Sequence, residues 1–341
     1  MRDIRVYDFE FNLLYIMTDV ISSDWHLLYN GVGTYEGHFR LKDGISDIIL
    51  SNKYVVIVQG DLQAICTGKI VDKELTVCGR TVNWILTKRV RPPFKTSEIF
   101  GEYKDPETIL LYCLEKGFTK PPLIDSTGVE TSSIDENRAV LNFVIPEAIG
   151  AEVMDNYFWR NSANDVESIC VDLCEKLNRG HRVIFDVANK CWKFEFITPN
   201  KNETLIAKES KTAYQFEFAE DLLNDASGGW YPKYSGESGE NTSWHYLRGE
   251  ERSGIYDWDC VLSCSGESEA ADALKKKTAT KKIESRLRNL KFGVDYNLGD
   301  IMPVYFSYGS FETTQYYIIN GVDIRMTSTE SYEEPSLKIY K

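Results

Sequence analysis

The sequence predicts a mainly β protein with an α+β insertion between two strand-rich segments. Aromatic residues make up 13% of the 341-residue chain, Tyr the most numerous, and runs rich in Tyr, Phe and Val favour strands. Apolar runs over residues 4–90 are short and broken by Gly, Asn and Asp turns. That spacing belongs to a barrel or sandwich rather than a βαβ sheet. Residues 96 to about 212 differ, because they carry helix start signals and a 3.6-residue apolar period.

Residues 4–17 alternate, with Val6, Asp8, Glu10 and Asn12 opposing Tyr7, Phe9, Phe11 and Leu13. This is the period of one half-buried strand. Residues 25–33 read as strand and turn, and residues 35–41, 54–59, 65–71 and 74–78 as further strands, the last two parted by Asp72-Lys73. This module ends near Pro92-Pro93.

Asp105-Pro106-Glu107 is a helix start, with Asp at the N-cap and Pro at the first helical position. Ile109, Leu110, Cys113 and Leu114 form its apolar stripe, and Gly117 is expected to stop it. A second helix has Ser162 as expected N-cap with Asp165 three positions on. Val166, Ile169, Cys170, Leu173, Cys174 and Leu177 give it one apolar face, and Gly180 is expected to end it. Residues 181–187 and 190–197 read as strands.

Strand texture returns over residues 213–265 around a polar loop tip at 235–243. Residues 267–280 form a short charged helix whose small apolar side is Ala270, Ala273 and Leu274. Residues 283–289 alternate as a strand, and residues 301–307 and 315–325 close the fold as a hairpin. Before that hairpin, Gly293, Asp295, Asn297, Gly299 and Asp300 make a sharp turn that runs directly into an apolar strand at Ile301. Asp295 and Asp300 are expected to accept backbone N–H bonds there, with Leu298 and Ile301 as apolar anchors.

A net charge of −13 argues against binding a polyanion, which needs clustered Lys and Arg. The one basic run, Lys275-Lys276-Lys277 with Lys281-Lys282, reads as a solvated face. Met1-Arg2-Asp3-Ile4-Arg5 leads straight into a strand pattern, and no run approaches a membrane span. The protein is expected to be made in the cytosol, without membrane insertion and with its eight cysteines reduced.

Cys170 and Cys174 have a zinc-compatible spacing but fall inside an apolar stripe, where free Cys packs as a small hydrophobe. Cys260 and Cys264 share the spacing without a ligand context. His26, His38, His181 and His245 are scattered and form no metallopeptidase pattern. Acidic pairs such as Asp257 and Asp259 are expected by chance in so acidic a chain. There is no nucleophile elbow and no phosphate loop. No catalytic, cofactor or metal residue is predicted, and the chain reads as a scaffold or interaction protein rather than an enzyme.

The ordered set of segments resembles the hub proteins of phage tails, as in siphophage tail tips and the baseplate hubs of contractile phage-like particles. Val6-Tyr7-Asp8, Leu14-Tyr15-Ile16 and Ser23-Asp24-Trp25 are similar to the first strands of the hub's first barrel, and residues 33–39 to its next strand. Residues 75–80, ending in Gly79-Arg80, then Trp84-Ile85-Leu86 and Arg89, resemble the family's step into a short helix. Residues 216–223 look like the opening of a second barrel. Asp295-Tyr296-Asn297-Leu298-Gly299-Asp300-Ile301 is the closest match, followed by Val322-Asp323-Ile324-Arg325. The signature positions carried over are Gly79, Arg80, Asp295, Leu298, Gly299, Asp300 and Arg325, all as structural residues.

This resemblance implies two tube-type antiparallel β-barrel domains plus an α+β accessory domain. Residues 1–95 would be the first barrel, 96–212 the α+β domain, and 213–341 the second barrel with the 267–280 helix and closing hairpin. It implies a virion structural protein of a tail tip or baseplate, assembled in the host bacterial cytoplasm. There a homotrimer forms a pseudo-sixfold ring between the tail tube or distal tail proteins and the spike, fibre or tail-tip proteins. DNA would pass through its lumen without specific binding, and the acidic surplus is expected to line that lumen. The same architecture serves phages and tail-like bacteriocins. Larger members carry a C-terminal extension, and the end at Lys341 leaves the expectation of no attached hydrolase. The alternative is a tail-associated cell-wall hydrolase with its activity in the α+β domain.

Overall fold

The computed structural model describes residues 3–18, 20–41, 44–92, 105–148, 163–208, 212–235, 241–264, 266–277, 280–287, 289–327 and 329–340. Two compact units divide the chain. One is Met1–Ala207 with Leu287–Pro303 and Tyr316–Lys341; the other is Lys208–Arg286 with Val304–Gln315.

The first unit opens with β1 (Ile4–Tyr7), β2 (Leu13–Met17), β3 (Val20–Leu28) and β4 (Thr34–Arg40). A short helix α1 (Ile45–Ser51) precedes β5 (Val56–Gln59), β6 (Leu62–Val71) and β7 (Glu74–Thr81). A 3₁₀ helix over Val82–Lys88 then leads into β8 (Val90–Arg91). The α+β part holds α2 (Pro106–Leu114), β9 (Pro122–Ile124), β10 (Glu130–Ile134), β11 (Phe143–Val144) and β12 (Asn164–Asp165). It continues with α3 (Val166–Lys176), β13 (Gly180–Asp186), β14 (Cys191–Ile197) and β15 (Asn200–Lys201). The second unit contains β16 (Ala213–Asp221), β17 (Gly228–Ser235), β18 (Asn241–Arg248), β19 (Asp259–Val261), α4 (Glu267–Lys275) and β20 (Thr280–Leu287). The closing strands are β21 (Asp300–Tyr308), β22 (Phe311–Thr327) and β23 (Ser331–Ile339).

An eleven-stranded sheet runs β15-β21-β22-β3-β4-β7-β6-β5-β1-β2, with β23 also paired to β22. Strands from early and late in the sequence thus meet: β22 pairs antiparallel with β3, from Gly321 opposite Leu28 to Thr327 opposite Ser22. Alternation does the sorting within each strand. In β4, Tyr35 and Phe39 are buried while Thr34, Glu36 and Arg40 are exposed, as period-two side chains require. The α+β part packs α2 and α3 together, with Ile109, Leu110, Cys113 and Leu114 against Val166, Ile169, Cys170, Leu173 and Cys174 in one core. In the second unit, Ala226, Tyr231 and Leu262 pack with Ala270 and Leu274 of α4. Phe218 there stacks on Phe306 at 5.6 Å and meets Phe311 at 5.1 Å.

Mainly β architecture with an α+β part is therefore what the chain adopts, and several local expectations need correction. Residues 4–17 are not one strand but the β1–β2 hairpin. Asp8 Oδ1 accepts the N–H groups of Glu10 and Asn12 at 3.0 and 2.7 Å, and Phe11 takes φ 66°. The cost of that left-handed Phe is set against its stacking on Phe185 at 4.2 Å. Asp105 caps α2 as expected, accepting from Thr108 N at 2.7 Å. For α3 the cap is Asp165, accepting from Ser168 N at 3.0 Å, while Ser162 lies outside the described residues. Both helices therefore start with one device, Asp followed three positions later by a hydroxyl residue that also bonds the carboxylate.

Gly117 does not stop the first helix, which continues as a π-helical turn over Glu115–Thr119. Nor does Gly180 end the second. Asn178, at φ 49°, takes the left-handed position after α3, and Gly180 already begins β13. A methyl at Gly180 would sit 2.2 Å from the Tyr29 carbonyl oxygen, so this glycine serves close approach. The helix α1 and strand β23 were not anticipated. At the polar loop tip, residues 236–240 lie outside the described residues, and β17 and β18 pair up to Ser235 opposite Asn241.

Leu173 is wholly buried between α2, α3 and the β13–β14 hairpin. Truncation to Ala is expected to cost about 2–5 kcal/mol, lost transfer energy plus a cavity, measurable as a lower urea midpoint at unchanged slope.

Candidate functional site

Three neighbouring features of the first unit position its polar chemistry: the segment after β3, the turn before β21, and the polar face of the main sheet. Tyr29-Asn30-Gly31 leaves β3 and is bonded from every side. Tyr29 N donates to Asn320 O at 2.8 Å, and Tyr29 O accepts from His181 N at 3.2 Å. The Tyr29 hydroxyl donates to Ile197 O at 3.0 Å. The Asn30 side chain donates to Val171 O at 2.9 Å and meets His181 Nδ1 at 2.7 Å. Asn83, from the 3₁₀ helix, donates to Gly31 O at 2.9 Å and accepts from Val183 N at 2.6 Å. His181 closes the network through Nε2 to Glu167 Oε2 at 3.0 Å.

That His–Glu pair has the composition of a catalytic dyad but not the setting. His181 is wholly buried, Glu167 nearly so, and both ring nitrogens are engaged. The cysteines of the same core are equally enclosed. Burial pushes the Cys113 thiol up to about 12 and raises Cys170 and Cys174 as well, which suppresses the reactive thiolate. Among the described residues, no group of three or more His, Cys, Asp and Glu side chains is placed to hold a metal ion.

The structure brings four of the sequence-predicted residues together in the turn. Asp300, only 5% exposed, accepts from Asn297 N at 3.0 Å and from Asn202 and Asn200 side chains at 3.0 and 3.3 Å. Asp295 accepts from Lys291 N at 2.8 Å. Both carboxylates thus bond backbone N–H groups. Leu298 packs against the cluster of Tyr29, Ile301 and Ile318. Gly299 has φ 87°, and a methyl there would meet the Tyr29 ring at 2.7 Å. Its N–H donates to Ile319 O at 2.9 Å, so the turn is fastened to β22 and to the Tyr29 segment.

The other three predicted residues sit on the sheet. Gly79 is on the buried face of β7, where a methyl would lie 2.9 Å from Ile65 O. Arg80 points to the opposite, polar face, opposite Thr34 of β4. Arg325 of β22 shares that face and meets Asp24 Oδ1 at 3.4 Å. Carboxylates and cations interleave across the strands here. His26 Nδ1 lies 2.6 Å from Asp323, and His38 lies between Glu74 at 2.7 Å and Glu36 at 3.0 Å. Partial burial lowers the His38 pKa, but the bonds and charges of Glu74 and Glu36 outweigh it and hold the imidazolium above its ordinary range. Sequence reasoning missed Asn30, Asn83 and His181. The available signal was the Asn30-Gly31 turn dipeptide, and an isolated Asn and His inside apolar stretches.

The fold is that of phage tail proteins. The 43 kDa tail protein of prophage MuSo2 from Shewanella oneidensis matches with a TM-score of 0.58 at 10% identity, over 99% of this chain and 98% of its own. Prophage tail protein gp18 from Listeria monocytogenes EGD-e matches with a TM-score of 0.55 at 14% identity, over 98% of this chain and 94% of its own. A chain of the lidded Francisella PdpA-VgrG complex matches with a TM-score of 0.53 at 9% identity, over 99% of this chain and 54% of its own. No family model matches the sequence, and no curated protein matches it.

Gly299→Ala is expected to cost about 2 kcal/mol or more, the left-handed penalty plus the clash with Tyr29. Gly293→Ala, at φ 76° with nothing within 4 Å, should lose only the backbone part, about 1 kcal/mol. Equal losses in denaturant titrations would contradict the packing role of Gly299. His38 stabilises the fold through its charged form, because its folded pKa is raised. That contribution is full below the unfolded value of about 6.5 and disappears as pH rises through the folded value. His38→Gln should therefore lower the melting temperature more at about pH 5.5 than at about pH 8.5.

Proposed function

We propose that this chain is the structural hub of a phage tail tip or baseplate, or of a phage tail-like particle. The observation that carries the reading is the fold it shares end to end with phage tail proteins, at 99% and 98% coverage for the first of them. In this reading, residues 1–95 and 213–341 supply two tube-type barrels and residues 96–212 the accessory domain. Two related barrels per chain let three chains present six similar sites, so a homotrimeric ring joins a sixfold tube to a threefold tip. A repeated heterologous contact must close in this way, or it grows into a filament.

Gly79, Arg80, Asp295, Leu298, Gly299, Asp300 and Arg325 act as structural residues of that ring. The tail tube or distal tail proteins bind above it, and spike, fibre or tip proteins below. DNA crosses the lumen without adhering, because phosphate binding needs clustered cations and the chain carries a net charge of −13. Interleaved carboxylates on the polar sheet face fit a wall of low adhesion. The protein acts in the virion after assembly in the host cytoplasm. Enclosure of the His181–Glu167 pair favours this role over the hydrolase alternative, which needs a dyad facing a cleft.

Purified protein is expected to form rings of three chains by light scattering and negative-stain imaging, and to leave peptidoglycan intact. A monomer that releases soluble muropeptides would overturn the proposal in favour of the hydrolase.

A further inference from the structure

The first unit holds a cavity of about 400 Å³ at the junction of the β1–β2 turn, the 3₁₀ helix and the α+β part. Its walls are aromatic. Phe9 stacks on Tyr54 at 5.6 Å and meets Trp192 edge-on at 5.2 Å, while Tyr54 leans on Trp84 at 6.0 Å. Phe118 and Phe143, stacked at 4.4 Å, face the same space. Among the described residues, the only charged side chains lining it are Lys88 and Arg89. Lys88 Nζ sits 4.1 Å over the Trp84 ring, and Lys53 Nζ 5.5 Å over the Tyr54 ring beside the cavity.

Two facts limit the occupant. The volume is at the small end of ligand pockets, enough for one large side chain and its flanking backbone. The charge is local and opposite to that of the molecule. In a chain with net charge −13, the described residues of this lining hold two cations and no carboxylate. Half-burial of the Arg89 guanidinium lowers its pKa, helped by Arg138 and partly offset by Asp135, and its Nη2 donates to Arg138 O at 2.8 Å. A cation so placed gains from an incoming anion, while the aromatic walls gain from a planar apolar group.

We propose that this cavity docks an acidic segment of a partner protein. One aromatic side chain of the segment enters between Trp84, Trp192 and Phe118, and flanking carboxylates meet Lys88 and Arg89. This assignment stands on the cavity alone and does not require the tail-hub reading.

The probe is a capped pentapeptide, Gly-Glu-Trp-Glu-Gly, followed by saturation-transfer NMR at its indole protons and by titration against the full chain. Saturable binding is expected, weakened about tenfold or more for the lysine peptide Gly-Lys-Trp-Lys-Gly and lost for Gly-Glu-Ala-Glu-Gly. Exposed Lys88→Glu should weaken the acidic peptide by a similar factor, and Val140→Trp should block it by filling the cavity. If Val140→Trp fails to fold, Lys88→Glu decides alone. No binding of the acidic peptide, equal binding of both charged peptides, or binding untouched by Lys88→Glu would each overturn the proposal.

Discussion

The hydrogen bonding of Tyr29-Asn30-Gly31 is the constraint on which the first unit depends. A segment leaving a sheet would ordinarily be solvated. This one is enclosed, so each of its polar groups needs a protein partner. Those partners come from α3, β13, β14, the 3₁₀ helix and β22. No two of these elements could shift without leaving a buried donor or acceptor unpaired, at about 1–3 kcal/mol each. The Gly180 and Gly299 backbones both close on the Tyr29 ring, so the α+β part and the signature turn take their positions from one side chain.

Histidine illustrates how environment, not residue type, sets a role. His181 is locked between Asn30 and Glu167 inside the core and serves as a spacer with two fixed bonds. On the open face of the sheet, His38 has a carboxylate at each nitrogen, a geometry in which both nitrogens donate and the ring is charged. Neither imidazole offers a substrate a free ring nitrogen. Asp300 is likewise spent on a turn N–H and two asparagine amides, while Asp295 holds the turn through the Lys291 N–H.

Much of the fold was legible because it is written locally. Period-two burial marked β4 and β7, and Asp105-Pro106 marked the start of α2. The Gly/Asn/Asp cluster before Ile301 marked the turn and its carboxylate roles. Misreadings arose where a local signal competed with a stronger tertiary one. The alternation within residues 4–17 runs from Tyr7 to Leu13, straight through a reversal made by Asp8, and Phe11 accepts a left-handed backbone because the aromatic core of Phe185 and Trp192 holds it. Asp165 caps α3, and Val166 N donates to Arg89 O at 2.8 Å, which fixes where the helix begins. β23 was hidden by Glu333-Glu334-Pro335, which does not read as strand although it pairs with β22. The Asn30–His181 network was illegible for a different reason: its members come from segments that only the finished fold brings together.

The pairing of β3 with β22 also sets an order of events during synthesis. Strands β1 to β7 pair with near neighbours in the chain and can associate while the nascent chain is still growing. The outer rim of β3 cannot be covered then, because its partner, centred on Val322 and Ile324, is made only after the whole α+β part and the segments that follow it. Until β22 is made that rim presents unpaired backbone groups, the kind of edge along which separate chains join. Its polar side chains Asp24 and His26 keep it hydrated during the wait, and completion of the sheet becomes a late, long-range step that local propensity cannot accelerate.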